Sequence, residues 1–136
     1  MANNLAVRFR VDFGSRCSVG AGKIELLEGI ARTGSLSQAA RDMRMSYRRA
    51  WLLIEDMNVS FDHPVTLASV GGRGGGGVVL TMFGSRLVAG YRQLEASLQP
   101  LADTYLEDFG RHINSGAPKR PIKSGSIRRK PAPQPP

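Results

Sequence analysis

Residues 34–57, GSLSQAARDMRMSYRRAWLLIEDM, restrict the fold more than any other stretch. They call for two short helices joined by a tight turn. Gly34 can take the left-handed conformation that stops a preceding helix. Ser35-Leu36-Ser37-Gln38 has the form of a capping box, which starts a helix over about Leu36 to Met43. Ala39 and Ala40 are small enough for another helix to approach closely. Arg44-Met45 supplies the turn, and Ser46 caps a further helix that runs to about Asn58.

On a wheel of ~100° per residue, Ala50, Ile54 and Met57 lie within about 60° of one another, with Leu53 beside them. That is the expected core face of the third helix. Arg48, Leu52 and Glu55 point the opposite way, with Arg49 on one flank and Tyr47 and Trp51 on the other. An outward face rich in arginine and aromatic residues, close to a helix N-terminus, suits contact with bases and phosphates. Leu52 at its centre can meet a thymine methyl. Trp51 is expected to pack over Tyr47 one turn back.

The rest of the chain supplies the frame. Leu5, Val7, Phe9, Val11 and Phe13 alternate with Ala6, Arg8, Arg10 and Asp12, the period of a half-buried strand over 5–13. Residues 14–22, with three Gly and two Ser, read as a loop. Lys23 to Thr33 forms the first helix, with Ile24, Leu27, Ile30 and Ala31 inward. After Pro64, residues 65–70 (VTLASV) and 77–81 (GVVLT) read as two strands of a hairpin. Its connection, GGRGGGG, is too flexible for a tight two-residue turn and carries Arg73. The strand at 5–13 can join this hairpin as a third strand or reach a partner subunit. Thr81 caps a fourth helix, in which Leu87, Tyr91, Leu94, Leu98, Leu101 and Tyr105 repeat with the rhythm of a coiled-coil seam. Pro100 inside it is expected to kink the helix or begin a new one.

The net charge of +8 is unevenly placed. Residues 116–136 hold six basic residues, six prolines and no acid, and read as a disordered tail. Residues 1–115 keep thirteen basic against eleven acidic residues, or +2. A pI near 10.6 points to a polyanionic partner, though the tail produces most of that signal. No apolar run is long enough to span a bilayer, and the N-terminus lacks a signal-like apolar core, so a cytoplasmic protein with no membrane contact is expected. The single Cys17 fits a reducing compartment.

Several chemistries are disfavoured by pattern. The glycine run leads into Val78-Val79-Leu80, a strand, whereas a nucleotide-binding loop needs Gly-Lys-Ser/Thr opening a helix. Cys17, His63 and His112 lack the spacing of metal ligands. Asp12-Phe13-Gly14 matches a kinase triplet without the loops that accompany it. Glu55-Asp56 and Glu107-Asp108 are adjacent pairs that cannot face one another on a helix. No nucleophile has a base at hand. An enzyme is not expected, nor any cofactor or metal.

The order helix, helix, recognition helix, two-stranded wing, long helix resembles winged helix-turn-helix regulators. Residues 23–105 are most similar to the DNA-binding domain of the ModE family, the molybdate-responsive bacterial regulators. The residues that carry the resemblance are Gly34-Ser35-Leu36-Ser37-Gln38-Ala39-Ala40, Ser46-Tyr47, Ala50-Trp51, Ile54 and Met57-Asn58. They continue with Gly71-Gly72-Arg73-Gly74-Gly75-Gly76-Gly77, Leu80-Thr81 and Gly84. LysR-type regulators resemble it more loosely. In full-length members of the ModE family, molybdate binds a separate C-terminal pair of small β-barrel domains. Here a Pro-rich basic tail stands in that region, so no molybdate site is expected in this chain.

The expected fold is α+β, mainly α: a winged helix-turn-helix with a long C-terminal dimerisation helix. Its parts are an N-terminal strand and loop (1–20), the winged helix-turn-helix (21–82), the dimerisation helix (83–115) and the tail (116–136). The expected DNA-binding residues are Ser35, Ser37, Ser46, Tyr47, Arg48, Arg49, Leu52 and Arg73. Leu87, Tyr91, Leu94, Leu98, Leu101 and Tyr105 are the expected dimerisation residues. Together they describe a homodimeric repressor on double-stranded DNA, with a palindromic operator whose half-sites lie ~34–36 Å apart or a multiple of it. Two other functions fit the same residues: a winged-helix module that binds protein, and a sequence-tolerant architectural DNA-binding protein.

Overall fold

The computed structural model describes residues 5–70, 77–116 and 118–119. The expected disorder of the tail therefore falls almost wholly outside the described residues, as does the wing tip. The elements in chain order are β1 (Arg10–Phe13), β2 (Cys17–Gly20), α1 (Ala21–Thr33), α2 (Leu36–Asp42), α3 (Tyr47–Ser60), β3 (Thr66–Ser69), β4 (Gly77–Leu80) and α4 (Met82–Gly110). This is a mainly helical α+β winged helix, with two separate antiparallel hairpins, β1–β2 and β3–β4.

The N-terminus departs most from the sequence reading. Residues 5–11 do alternate between half-buried and exposed, but only Arg10–Phe13 pairs as a strand. Its partner is β2, inside the expected loop, with Phe13 opposite Cys17 and Arg10 opposite Gly20. Cys17 and Val19 point into the core there. A four-residue strand carries only two inward positions, too few to stand out from a loop rich in Gly and Ser. Residues 5–9 join neither hairpin, so no third wing strand forms. They lie along α4: Gln99 accepts from Val7 N–H (3.2 Å) and donates to Leu5 O (2.8 Å). Phe9 stacks on Tyr91 at 4.4 Å, and the Tyr91 hydroxyl donates to Phe9 O (2.7 Å).

α1 is the central helix and touches α2, α3, α4, β2 and β4. It therefore buries a wider arc than one stripe. Leu26 is buried with Ile24, Leu27 and Ile30, while Ala31, expected inward, is exposed in the last turn. The helix starts at Ala21, two residues before the expected start, and stops at Gly34 in the left-handed conformation (φ 70°). A Cβ at Gly29 would stand 3.0 Å from that of Ala39, which shows how closely α1 and α2 approach. Ala39, Ala40, Ala50, Ile54 and Met57 complete the core expected of the helical pair.

β4 is fixed to this frame by Val78 N–H donating to Gly34 O (3.0 Å). Asn58 fixes β3: its side chain accepts from Val65 N–H (2.7 Å) and donates to the Thr66 hydroxyl (3.3 Å). Thr81 caps α4 by accepting from Gly84 N–H (2.9 Å) and donates to Pro64 O (2.6 Å). α4 then comes so near the residue before β3 that a Cβ on Gly84 would collide with Val65 O. No helix among the described residues is long and apolar enough to cross a membrane.

α4 runs unbroken through Pro100 for 29 residues, about 43 Å at ~1.5 Å per residue. No second helix begins at the proline. The missing N–H leaves one carbonyl without its usual helical partner, and the flanking turns carry the helix across. The expected seam divides in two. Tyr91 is buried and Leu87 and Leu98 half-buried, whereas Leu94, Leu101 and Tyr105 are exposed. Leu106, Phe109 and Ile113 extend the open part.

Candidate nucleic-acid interface

α3 presents its first turn to solvent because its other face is locked in the core by Ala50, Ile54 and Met57. Ser46 Oγ accepts from Arg49 N–H (3.1 Å) and starts the helix. Tyr47, Arg48, Arg49 and Leu52 are all exposed, as the pattern required. Neither arginine makes an ion pair among the described residues. Behind the helix, Lys23 Nζ bridges Asp56 (2.5 Å) and Ser18 O (2.7 Å), which ties the rear flank of α3 to β2 and α1. Cys17 sits beside this pair, and burial pushes its thiol above the ordinary range. That is the chemistry of an inert core thiol, not of a nucleophile.

Between α3, the start of α2 and the wing lies a cleft of about 290 Å³. Ser35, Ser37, Tyr47, Trp51, Glu55 and Asn58 line it. The structure thus gathers Ser35, Ser37 and Tyr47 on the wing side of α3, with Arg48, Arg49 and Leu52 on the open face. Ser35 Oγ also accepts from Gln38 N–H (3.1 Å). The capping box is only half closed, because the Gln38 amide donates to Asp42 (2.8 Å) and Ser35 N–H donates to Thr33 Oγ1 (3.2 Å). Trp51 stays 46% exposed in the cleft wall, so it is not packed away over Tyr47 as expected. Arg73 lies outside the described residues.

Sequence reasoning missed three features of the site. Glu55, expected on the outer face, is half-buried in the cleft. Asn58, which holds the wing strand, looked like a helix end. Arg44 adopts φ 56°, the one positive φ at a non-glycine residue among the described residues. The left-handed region is the usual place of glycine or asparagine, so an arginine gave no signal.

Two helices across a tight turn, with a wing beside the second, are the frame of winged helix-turn-helix DNA-binding domains. The chain is 41% identical over 93 residues to the DNA-binding transcriptional dual regulator ModE of Escherichia coli, a match covering 68% of this chain and 36% of the relative. It is 42% identical over 87 residues to the molybdenum-pterin-binding protein MopB of Rhodobacter capsulatus (64% and 32%). Against the molybdenum transport protein ModE of Azotobacter vinelandii the identity is 38% over 106 residues (78% and 39%). No protein-family model matches. Over the matched stretch the chain carries a ModE-type domain. It spans about a third of the length of these curated relatives.

Proposed function

We propose that this chain is a sequence-specific DNA-binding regulator of transcription, in which α3 enters the major groove and the wing follows the adjacent backbone. The observation that carries the reading is the first turn of α3. Arg48 and Arg49 stand exposed and without ion pairs among the described residues, on a helix whose opposite face is rigidly anchored. Base readout needs such rigidity, since a guanidinium must meet the guanine edge in fixed geometry. The Escherichia coli relative, by its name, binds DNA and regulates transcription. The open half of α4 supports a homodimer, and a two-fold dimer would read a palindromic operator. Such a dimer would work in the cytoplasm, where its DNA is.

Selection of bound DNA from a random pool tests the reading and reports palindromy directly. Retention of a discrete sequence at ~150 mM salt is the expected result. Arg48→Ala should then lose ~1–3 kcal/mol on the selected site and much less on random DNA. Equal loss on both, or binding that disappears with salt on every sequence, would leave only an architectural or tail-driven contact. Repression is the expected output, because a bound dimer occludes a promoter. The name of the Escherichia coli relative, a dual regulator, makes a reporter with the site placed upstream and downstream of the promoter the deciding assay. Calorimetry of this chain with molybdate should give no binding heat.

Half-exposed Trp51 and Leu52 support a second reading, a protein-binding module using the same face. Failure of the selection to enrich any DNA would favour it.

A further inference from the structure

The turn between α2 and α3 holds a residue whose identity the fold does not explain. α2 ends in a six-residue hydrogen-bonded motif: Met45 N–H donates to Ala40 O (3.0 Å) and Arg44 N–H to Arg41 O (3.0 Å). This pattern needs a left-handed residue just before its last donor, and Arg44 supplies it with φ 56°. Glycine takes that conformation without steric cost, whereas any residue with a Cβ is disfavoured there. The backbone thus accounts for the left-handed turn but not for an arginine in it. Strain kept at one position, where a smaller residue would relieve it, points to use of the side chain.

The surroundings supply the use. From Gln38 to Ile54 the chain has four arginines, at 41, 44, 48 and 49, and one carboxylate, Asp42. Asp42 is already engaged by Arg32 (3.4 Å) and by the Gln38 amide (2.8 Å). Arg41 and Arg44 are exposed and make no ion pair among the described residues, while Arg10, Arg92 and Arg111 fold onto nearby carboxylates. The wing meets the junction of α1 and α2, through Val78 N–H and Gly34 O, and Arg44 lies at the other end of α2. The seven residues of α2 separate them by about 10 Å. A helix seated in the major groove has a phosphate strand on each side, and the preceding helix crosses one of them.

We propose that Arg44, with Arg41, grips the DNA phosphate backbone at the end of α2 remote from the wing, and that the strained turn is retained for this contact. The inference rests on the DNA-binding reading above. Phosphate contacts position the protein without reading sequence. Removing one weakens specific and random DNA alike and lowers the salt slope by about one counterion.

The test compares the full chain with Arg44→Gly and Arg44→Ala by fluorescence anisotropy over a salt series. The probes are the selected duplex and a scrambled one, and thermal unfolding is followed in parallel. Both variants should bind roughly three- to tenfold more weakly at ~100 mM salt, equally on both duplexes, with the slope of log K against log[salt] reduced by about 1. Arg44→Gly should melt at or above the wild-type temperature, so its weaker binding is not a folding defect. Unchanged affinity and slope in both variants overturn the proposal. Loss in only one of them also overturns it, because the effect is then one of backbone conformation. A wild type that binds without sequence preference defeats the operator reading yet leaves the Arg44 contact measurable in the slope. A wild type that binds neither duplex at low salt overturns both.

Discussion

The two halves of α4 carry the same apolar rhythm and meet different fates. From Leu87 to Leu98 the stripe is covered by the chain itself except at Leu94, which stays exposed: Tyr91 lies under Phe9, and Gln99 straps residues 5–7 across the helix. Arg92 adds a bridge to Glu28 on α1 (2.7 Å) and to Glu95 (2.9 Å), and the Glu28 hydrogen bonds hold its guanidinium more firmly protonated than usual. From Leu101 to Ile113 the stripe is bare, with Tyr105 74% and Ile113 73% exposed. A heptad-like pattern identifies a face that gains by leaving water; it does not say what covers it. Here the first half stabilises the fold of the single chain, and the second is the surface open to the proposed second copy.

Substitutions in the inner half should therefore destabilise the fold far more than substitutions in the outer half. Tyr91→Ala removes a buried stacked ring and the hydroxyl bond to Phe9 O, and should cost ~3–4 kcal/mol in urea unfolding. A cost below ~1 kcal/mol would show that the arm does not cover α4 in solution. Gly84→Ala drives a methyl onto Val65 O and should cost ~2–3 kcal/mol, since a backbone carbonyl cannot yield as a side-chain tip can.

Alkaline pH should have a smaller effect, confined to the inner region. Burial raises both the Cys17 thiol and the Tyr91 hydroxyl from ordinary values of 9.0 and 10.0. Groups raised on folding favour the folded state below their unfolded values and lose that contribution as pH rises through the folded ones. Stability should therefore be level through neutral pH and decline as pH rises above about 9. Cys17→Ala should remove the first part of that decline. The smallest effect on the fold belongs to the outer half. Leu101→Ser with Phe109→Ser should change unfolding of the dilute chain by less than ~0.5 kcal/mol, yet abolish self-association in sedimentation velocity. A variant that still associates would assign the dimer contact elsewhere.

Much of the frame was legible because local chemistry set it. Gly34, Ser35, Ser46 and Thr81 ended or began helices where their backbone and hydroxyl preferences required. The inward face of α3 followed from spacing alone. The N-terminal hairpin was hidden because β2 is only four residues long and its burial depends on α1 and α3 closing over it. Ala31 and Leu26 exchanged roles because α1 is surrounded rather than faced from one side. At the site, Arg48 and Arg49 could be placed by their wheel positions. The wheel alone points Glu55 outward too, but the wing folds back over that flank and makes a cleft of it.

Local chemistry along the chain sets where helices start and stop, which faces turn inward, and that a basic, aromatic helix end remains outside. These follow from short-range sterics, capping and the period of the helix. Long-range packing sets which part of the apolar stripe is covered by the chain's own arm, that the first strand leaves the wing alone, and that Arg44 sits in a glycine's conformation. Each of those depends on contacts between residues far apart in the chain or on the dihedral a turn must adopt to join two packed helices, and neither leaves a periodic trace in sequence.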